Sequence, residues 1–148
     1  MKKFILCMLL AAVSQAYGAE HRVKMLDWSP DGQTMIFEPG FLKVAPGDTV
    51  IFEPTQKGHN VMSKVVPEGA TSFRSELDET FRLVLDKEGV YLYVCPPHQM
   101  MGMVGIIQVG EAKNLQKIKE AIPKLERVVK SNKGRWEAYA KNISGYGQ

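Results

Sequence analysis

From Arg22 onward the chain alternates short apolar, β-branched or aromatic runs with turn-forming residues. Residues 23–26, 34–37, 41–44, 49–52, 81–85, 90–94 and 104–109 each read as a strand, and 59–62 as a further candidate. Pro39-Gly40, Pro46-Gly47-Asp48, Pro54 and Glu88-Gly89 punctuate them, and each sequence suits a turn. In 81–85 the apolar positions Phe81, Leu83 and Leu85 alternate, which places them on one face of a strand. The stretch 67–78 is polar with Gly and Ser and reads as a loop or a short helix. Seven or eight short strands at even spacing predict an antiparallel sandwich or a small barrel. Strand–helix–strand alternation is absent, which argues against a doubly wound α/β fold.

The period changes after Gly110. Leu115, Ile118 and Ile122 recur at spacings of three and four, with Asn114 placed to cap the helix they predict. Pro123 should end that helix or begin the next. Leu125, Val128 and Val129 continue an apolar stripe, residues 132–134 interrupt it, and Trp136, Tyr139 and Ala140 share a face. The other side is rich in Lys and Arg, so the segment is expected to pack on the sandwich and present a solvated basic face. The expected organisation is an address segment at 1–18, a β-sandwich at 19–110 and a pair of helices at 111–148.

The address segment is read from its own pattern. Lys2 and Lys3 precede an apolar run over 4–13, too short to span a bilayer, and Ala16-Tyr17-Gly18 offers small residues for a signal peptidase. Cleavage after Gly18 makes Ala19 the new N-terminus. Phe4-Ile5-Leu6 lacks the small residues expected before a lipidated Cys7. Removing the segment takes the formal charge from +3 to about +1, and Cys7 goes with it. No Lys/Arg tract is dense enough for nucleic acid. Cys95 then stands as the lone thiol of an exported protein, so it must be buried, paired between chains or ligated to a metal.

Ligation has the partners it needs. Cys95-Pro96-Pro97-His98-Gln99-Met100-Met101-Gly102-Met103 puts a thiolate, an imidazole and thioethers within nine positions between two strands, and Gly58-His59-Asn60 offers a second imidazole at another strand boundary. Taken singly, Cys95 reads as a small buried hydrophobe, His59 and His98 as surface residues and Met103 as core filling. Together they offer two imidazoles, one thiolate and a weak axial thioether, the donor set of a mononuclear blue-copper electron-transfer site. Zinc is the alternative metal, but it prefers a closed set of N, S or carboxylate donors, and Met is a poor fourth. His21 lies close enough to a new N-terminal amine to chelate metal with it, or else is a plain surface residue.

These segments resemble the cupredoxin family, and within it the pseudoazurin branch. The resemblance rests on Phe37-Glu38-Pro39, Pro46-Gly47-Asp48-Thr49-Val50, Lys57-Gly58-His59-Asn60-Val61, Pro67-Glu68-Gly69-Ala70, Gly89-Val90-Tyr91, the Cys95–Met103 loop and the helical tail. It implies an all-β Greek-key sandwich with two C-terminal helices, and one type 1 copper held by His59, Cys95, His98 and Met103. It implies that Asn60 ties the two ligand loops and lends its backbone amide to the thiolate, with Met101 a packing neighbour. It also implies a soluble periplasmic carrier, monomeric and not an enzyme, that meets a redox donor and acceptor through an apolar patch around His98. Pro97 and Met100, with Met35 and Pro54, would supply that patch. Copper nitrite reductase and c-type cytochromes are the partners the resemblance suggests. The lysine ring expected around such a patch is thin: Lys57 is present, but Val94 and Trp28 stand where basic residues are common, and Gln99 and Met100 where an aromatic is common. The eight Met leave a second reading open, copper storage or delivery through Met25, Met35, Met62, Met100 and Met101. Core and patch filling accounts for them more simply.

Overall fold

The computed structural model describes residues 18–148; of the predicted address segment only Gly18 falls within them, and Cys7 lies outside. Eight strands run β1 (Glu20–Trp28), β2 (Thr34–Glu38), β3 (Phe41–Val44), β4 (Asp48–Pro54), β5 (Met62–Val65), β6 (Phe81–Leu85), β7 (Gly89–Val94) and β8 (Val104–Val109). A 3-10 turn over Pro96–Met101 joins β7 to β8, and the helices α1 (Leu115–Glu126) and α2 (Arg135–Ala140) follow.

The strands form two four-stranded sheets, ordered β2-β1-β4-β6 and β3-β8-β7-β5. The sequence pattern predicts antiparallel sheets, but each contains one parallel pair, β1 with β4 and β3 with β8. The reason is connectivity. The chain crosses between sheets on both sides of β3, so β4 returns beside β1 in the same direction. The strand expected at 59–62 begins at Met62 instead. Its first residues bond irregular chain, with Ser75 N–H donating to Val61 O, Val61 N–H to Ser75 Oγ and Asp78 N–H to His59 O. The stretch 67–78 is accordingly a loop; it meets β5 through an isolated bridge from Arg74 to Met62 and hydrogen bonds between Phe73 and Ser63, and buries Phe73 in the core.

Two apolar layers hold the elements together. Between the sheets lie Val23, Met25, Phe37, Val50, Phe52, Tyr91, Tyr93, Cys95, Met103 and Ile107, with Phe37 and Phe52 edge-on to Tyr93. On the outer face of the second sheet, Val90, Leu92, Val94, Val104 and Ile106 meet Ile118, Ile122, Trp136 and Ala140 of the helices. All six residues of β7 are therefore buried, which is why its sequence is a continuous apolar run and not an alternating one. Gly105 lets Tyr93 lie flat on β8: a Cβ there would fall 2.2 Å from the ring.

The helical segment differs from expectation in two ways. Asn114 makes no capping bond. Its Oδ1 accepts from Val90 N–H at 2.7 Å and its Nδ2 donates to Val90 O at 2.9 Å, which docks the start of α1 on β7. Pro123 lies inside α1 and does not bound it; it sits at an exposed position, where the in-helix bond it cannot donate to the Lys119 carbonyl is lost. Among the described residues no helix is long and apolar enough to cross a membrane.

Candidate metal centre

Local rules build the loop after β7. Pro96 and Pro97 open the 3-10 turn where missing N–H groups cost nothing. His98 N–H donates to Cys95 O at 3.0 Å, Gly102 N–H to Gln99 O at 3.0 Å, and Met103 N–H to His98 O at 3.2 Å. Gly102, at φ 76°, makes the left-handed exit. Cys95 N–H then donates to Met103 O at 3.0 Å, closing the loop on itself. The turn places Cys95 and Met103 side by side at the sheet end, both fully buried, and leaves His98 half-buried above them.

The other imidazole is held from the facing sheet. Asp78 accepts the N–H groups of Gly58 and His59 through one carboxylate oxygen, at 2.6 and 3.2 Å. Asn60 Nδ2 donates to Ser75 O at 3.2 Å. The Asn60 side chain thus ties its loop to the 73–78 segment, while its backbone N–H is the group directed at the Cys95 sulfur. Sequence reading did not find Asp78, which carries no local motif; its place is visible only once the two loops meet.

The result brings His59, Cys95 and His98 together, with one potential donor atom of each within 4.8 Å of the others. Their separations are 3.2 Å between the two Nδ1 atoms, 3.5 Å from Sγ to His98 Nδ1 and 3.8 Å from Sγ to His59 Nδ1. A point equidistant from the three atoms lies about 2 Å from each, the range in which N and S donors hold a first-row metal. The residues present therefore fit a metal ion. Burial pushes the Cys95 thiol up, opposed by the N–H groups of Asn60 and His98, so a metal has to displace the thiol proton. Burial also pushes the His59 imidazole down, and the neighbouring His98 adds to this. Both effects favour neutral imidazole, the form that binds metal.

Behind His59, Nε2 lies 3.1 Å from Asp27 Oδ1, a charge contact without full hydrogen-bond geometry. Asp27 was also missed from sequence. The turn that carries His98 has an apolar surface: Pro97, Met100 and Met101 are exposed. Met35 and Pro54 are half-buried, Met35 against the core between the sheets. Met101, expected as a packing neighbour, is 38% exposed. Met25 is fully buried in the core and Met62 packs under the helices. Val94, where a lysine is common, points under the helices. His21 pairs with Asp48, at 2.8 Å, and Asp48 also accepts Ala19 N–H.

A family model described as copper binding proteins, plastocyanin/azurin family, matches residues 23–110. The pseudoazurin of Paracoccus pantotrophus is 43% identical over 123 residues, covering 80% of this chain and 84% of that protein. Native pseudoazurin from Hyphomicrobium denitrificans superposes with a TM-score of 0.67 at 46% identity, over 69% of this chain and 84% of that one. Pseudoazurin from Methylobacterium extorquens AM1 gives 0.67 at 38% identity, over 80% and 92%.

Two mixed sheets closed at one end by a buried thiol–imidazole cluster are the architecture of a cupredoxin. The chain belongs to the plastocyanin/azurin family of copper-binding proteins, on its pseudoazurin branch. Copper is its cofactor, and it is an electron carrier and not an enzyme.

Proposed function

We propose that this protein is a periplasmic carrier whose single copper would be held by His59 Nδ1, Cys95 Sγ, His98 Nδ1 and the Met103 thioether. The observation that carries the reading is the triangle of donor atoms with edges of 3.2–3.8 Å, drawn from loops 36 residues apart. Copper bound there supplies one-electron exchange between its cupric and cuprous states. The chain's own part is to keep the donors in place. Asp78 fixes the His59 loop, the 3-10 turn fixes His98 against Cys95, and the core walls off all but the His98 edge. A site preformed in this way asks little rearrangement of its donors when the electron moves.

Electrons enter and leave through His98, the half-buried donor, at the patch of Pro97, Met100 and Met101. The partners are a redox donor and acceptor such as a c-type cytochrome or a copper nitrite reductase, met transiently by a monomer. Residues 1–18 are a removable export signal, and 19–110 with 111–148 make up the mature protein. Intact mass of the protein from a periplasmic fraction should place its start at Ala19; a start elsewhere rejects that boundary.

The oxidised, copper-loaded protein should be intensely blue and bleach reversibly with ascorbate. Cys95→Ser should abolish the thiolate-to-copper band. Survival of a parent-like band in that variant rejects the ligand assignment.

A further inference from the structure

The segment entering α2 reaches across the molecule to the loop that carries His98 and Met103. Lys130 N–H and Ser131 N–H both donate to Met100 O, at 2.7 and 3.2 Å. Asn132 Nδ2 donates to Met101 O at 2.9 Å. Arg135 Nη1 donates to Gly102 O at 3.0 Å. Three consecutive carbonyls between His98 and Met103 are thus all taken by residues 130–135. The same two side chains bind β2: Arg135 Nη1 donates to Met35 O at 2.7 Å and Nη2 to Thr34 O at 2.8 Å, and Asn132 Nδ2 reaches Thr34 O at 3.3 Å.

Two further observations mark this as a tight fit. Met35 holds left-handed backbone at φ 48°, uncommon for a side chain of that size, and Asn132 does so at φ 52°, which asparagine tolerates. A Cβ on Gly102 would fall 2.9 Å from Ser131 O and 3.0 Å from Asn132 O. Trp136 and Ala140, both fully buried against the second sheet, anchor α2 and with it the backbone of Arg135.

We propose that Arg135, supported by Asn132, is a positioning residue of the copper centre: its guanidinium ties Gly102 O to the Thr34 and Met35 carbonyls of β2 while residues 130–132 hold the Met100 and Met101 carbonyls, and together they fix the separation of His98 from Met103. This rests on the ligand set proposed above. The fork suits the task because its fixed, planar N–H groups serve three carbonyls at once, where a lysine ammonium is a compact charge on a flexible stem without that pre-set geometry. Its positive charge opposes the cupric state more than the cuprous one, and so raises the reduction potential.

The test compares Arg135→Lys, Arg135→Gln and Asn132→Gly with the parent in the full copper-loaded protein. Readouts are amide hydrogen exchange at Gly102 and Met103 in the diamagnetic reduced form, release of cupric ion to a chelator, the visible spectrum and the reduction potential. Arg135→Lys should speed exchange and copper release about tenfold, the scale of one lost charged hydrogen bond, and alter the spectrum with little change in potential. Arg135→Gln should loosen the loop equally and also lower the potential. Asn132→Gly keeps the left-handed backbone while deleting the amide, so it remains informative if the arginine variants do not fold; it should speed exchange a few-fold. A fall in melting temperature with exchange, copper release, spectrum and potential all at parent values overturns the proposal, because that is what a purely structural strut would give. Loop-amide exchange reads the clamp whichever side chains hold the metal, whereas colour loss in Cys95→Ser reads the ligands, so the two failures are distinguishable.

Discussion

Asp27 stands 3.1 Å from the ring nitrogen of His59 that faces away from Cys95. A carboxylate there makes the imidazole a stronger donor and puts a negative charge beside the metal, and both effects favour the cupric state. Asp27→Asn retains the volume and an oxygen acceptor but removes the charge. The reduction potential should therefore rise, with the copper retained and the absorption bands little moved. Voltammetry of the two proteins at one pH and ionic strength checks the sign; an unchanged or lower potential rejects the role. Neither Asp27 nor Asp78 was legible in the sequence as a site residue. Their partners lie 32 and 19 positions away, and a lone carboxylate near a strand end has no local signature. Cys95 and His98 were legible because one turn holds both, and their spacing survives as a motif.

At the level of elements, hydrophobic period found the strands and both helices, since burial on one face or two is written directly into the chain. It missed what polar side chains do between elements. Asn114 was read as a cap because it precedes an apolar periodic run; it forms two hydrogen bonds with the Val90 backbone instead. Helix N-termini have solvent as an alternative partner, but the fully buried Val90 does not. Asn114→Ala should therefore cost about 1–3 kcal/mol, the scale of leaving a buried backbone group unpaired, and more than loss of a cap bond. Denaturant midpoints at unchanged m-value measure this, and a loss well under 0.5 kcal/mol would show that Asn114 does not dock the helix. The parallel pairs were also invisible, because strand pattern records which face is buried and not the direction of the neighbouring strand. Strand β5 was placed three residues early for a related reason. The residues from His59 to Val61 are fully buried, as a central strand would be, yet their backbone partners are Ser75 and Asp78.

For the whole molecule, the distribution of charge decides how copies and partners meet. The formal charge is +3 over the full sequence and about +1 over residues 19–148, and the turn carrying His98 shows Pro97, Met100 and Met101, with Lys57 exposed nearby in sequence to His59. Encounter then depends on short-range apolar contact more than on long-range steering, so electron transfer should vary weakly with salt. Self-exchange between oxidised and reduced copies isolates this, because both surfaces are known and no partner has to be identified. In the parent protein the rate should change little with ionic strength. Met100→Glu puts the same charge at the centre of both facing patches, on a side chain that is 57% exposed. The backbone bonds of the loop and the donor triangle do not involve that side chain, so the visible spectrum should stay as in the parent. Self-exchange should fall about tenfold at low salt and recover in part as salt screens the repulsion. Line broadening in mixtures of the two oxidation states measures the rate. A rate unaffected by the glutamate at low salt would mean that electrons leave by another face, and would move the docking surface away from His98 while leaving the metal site where it is.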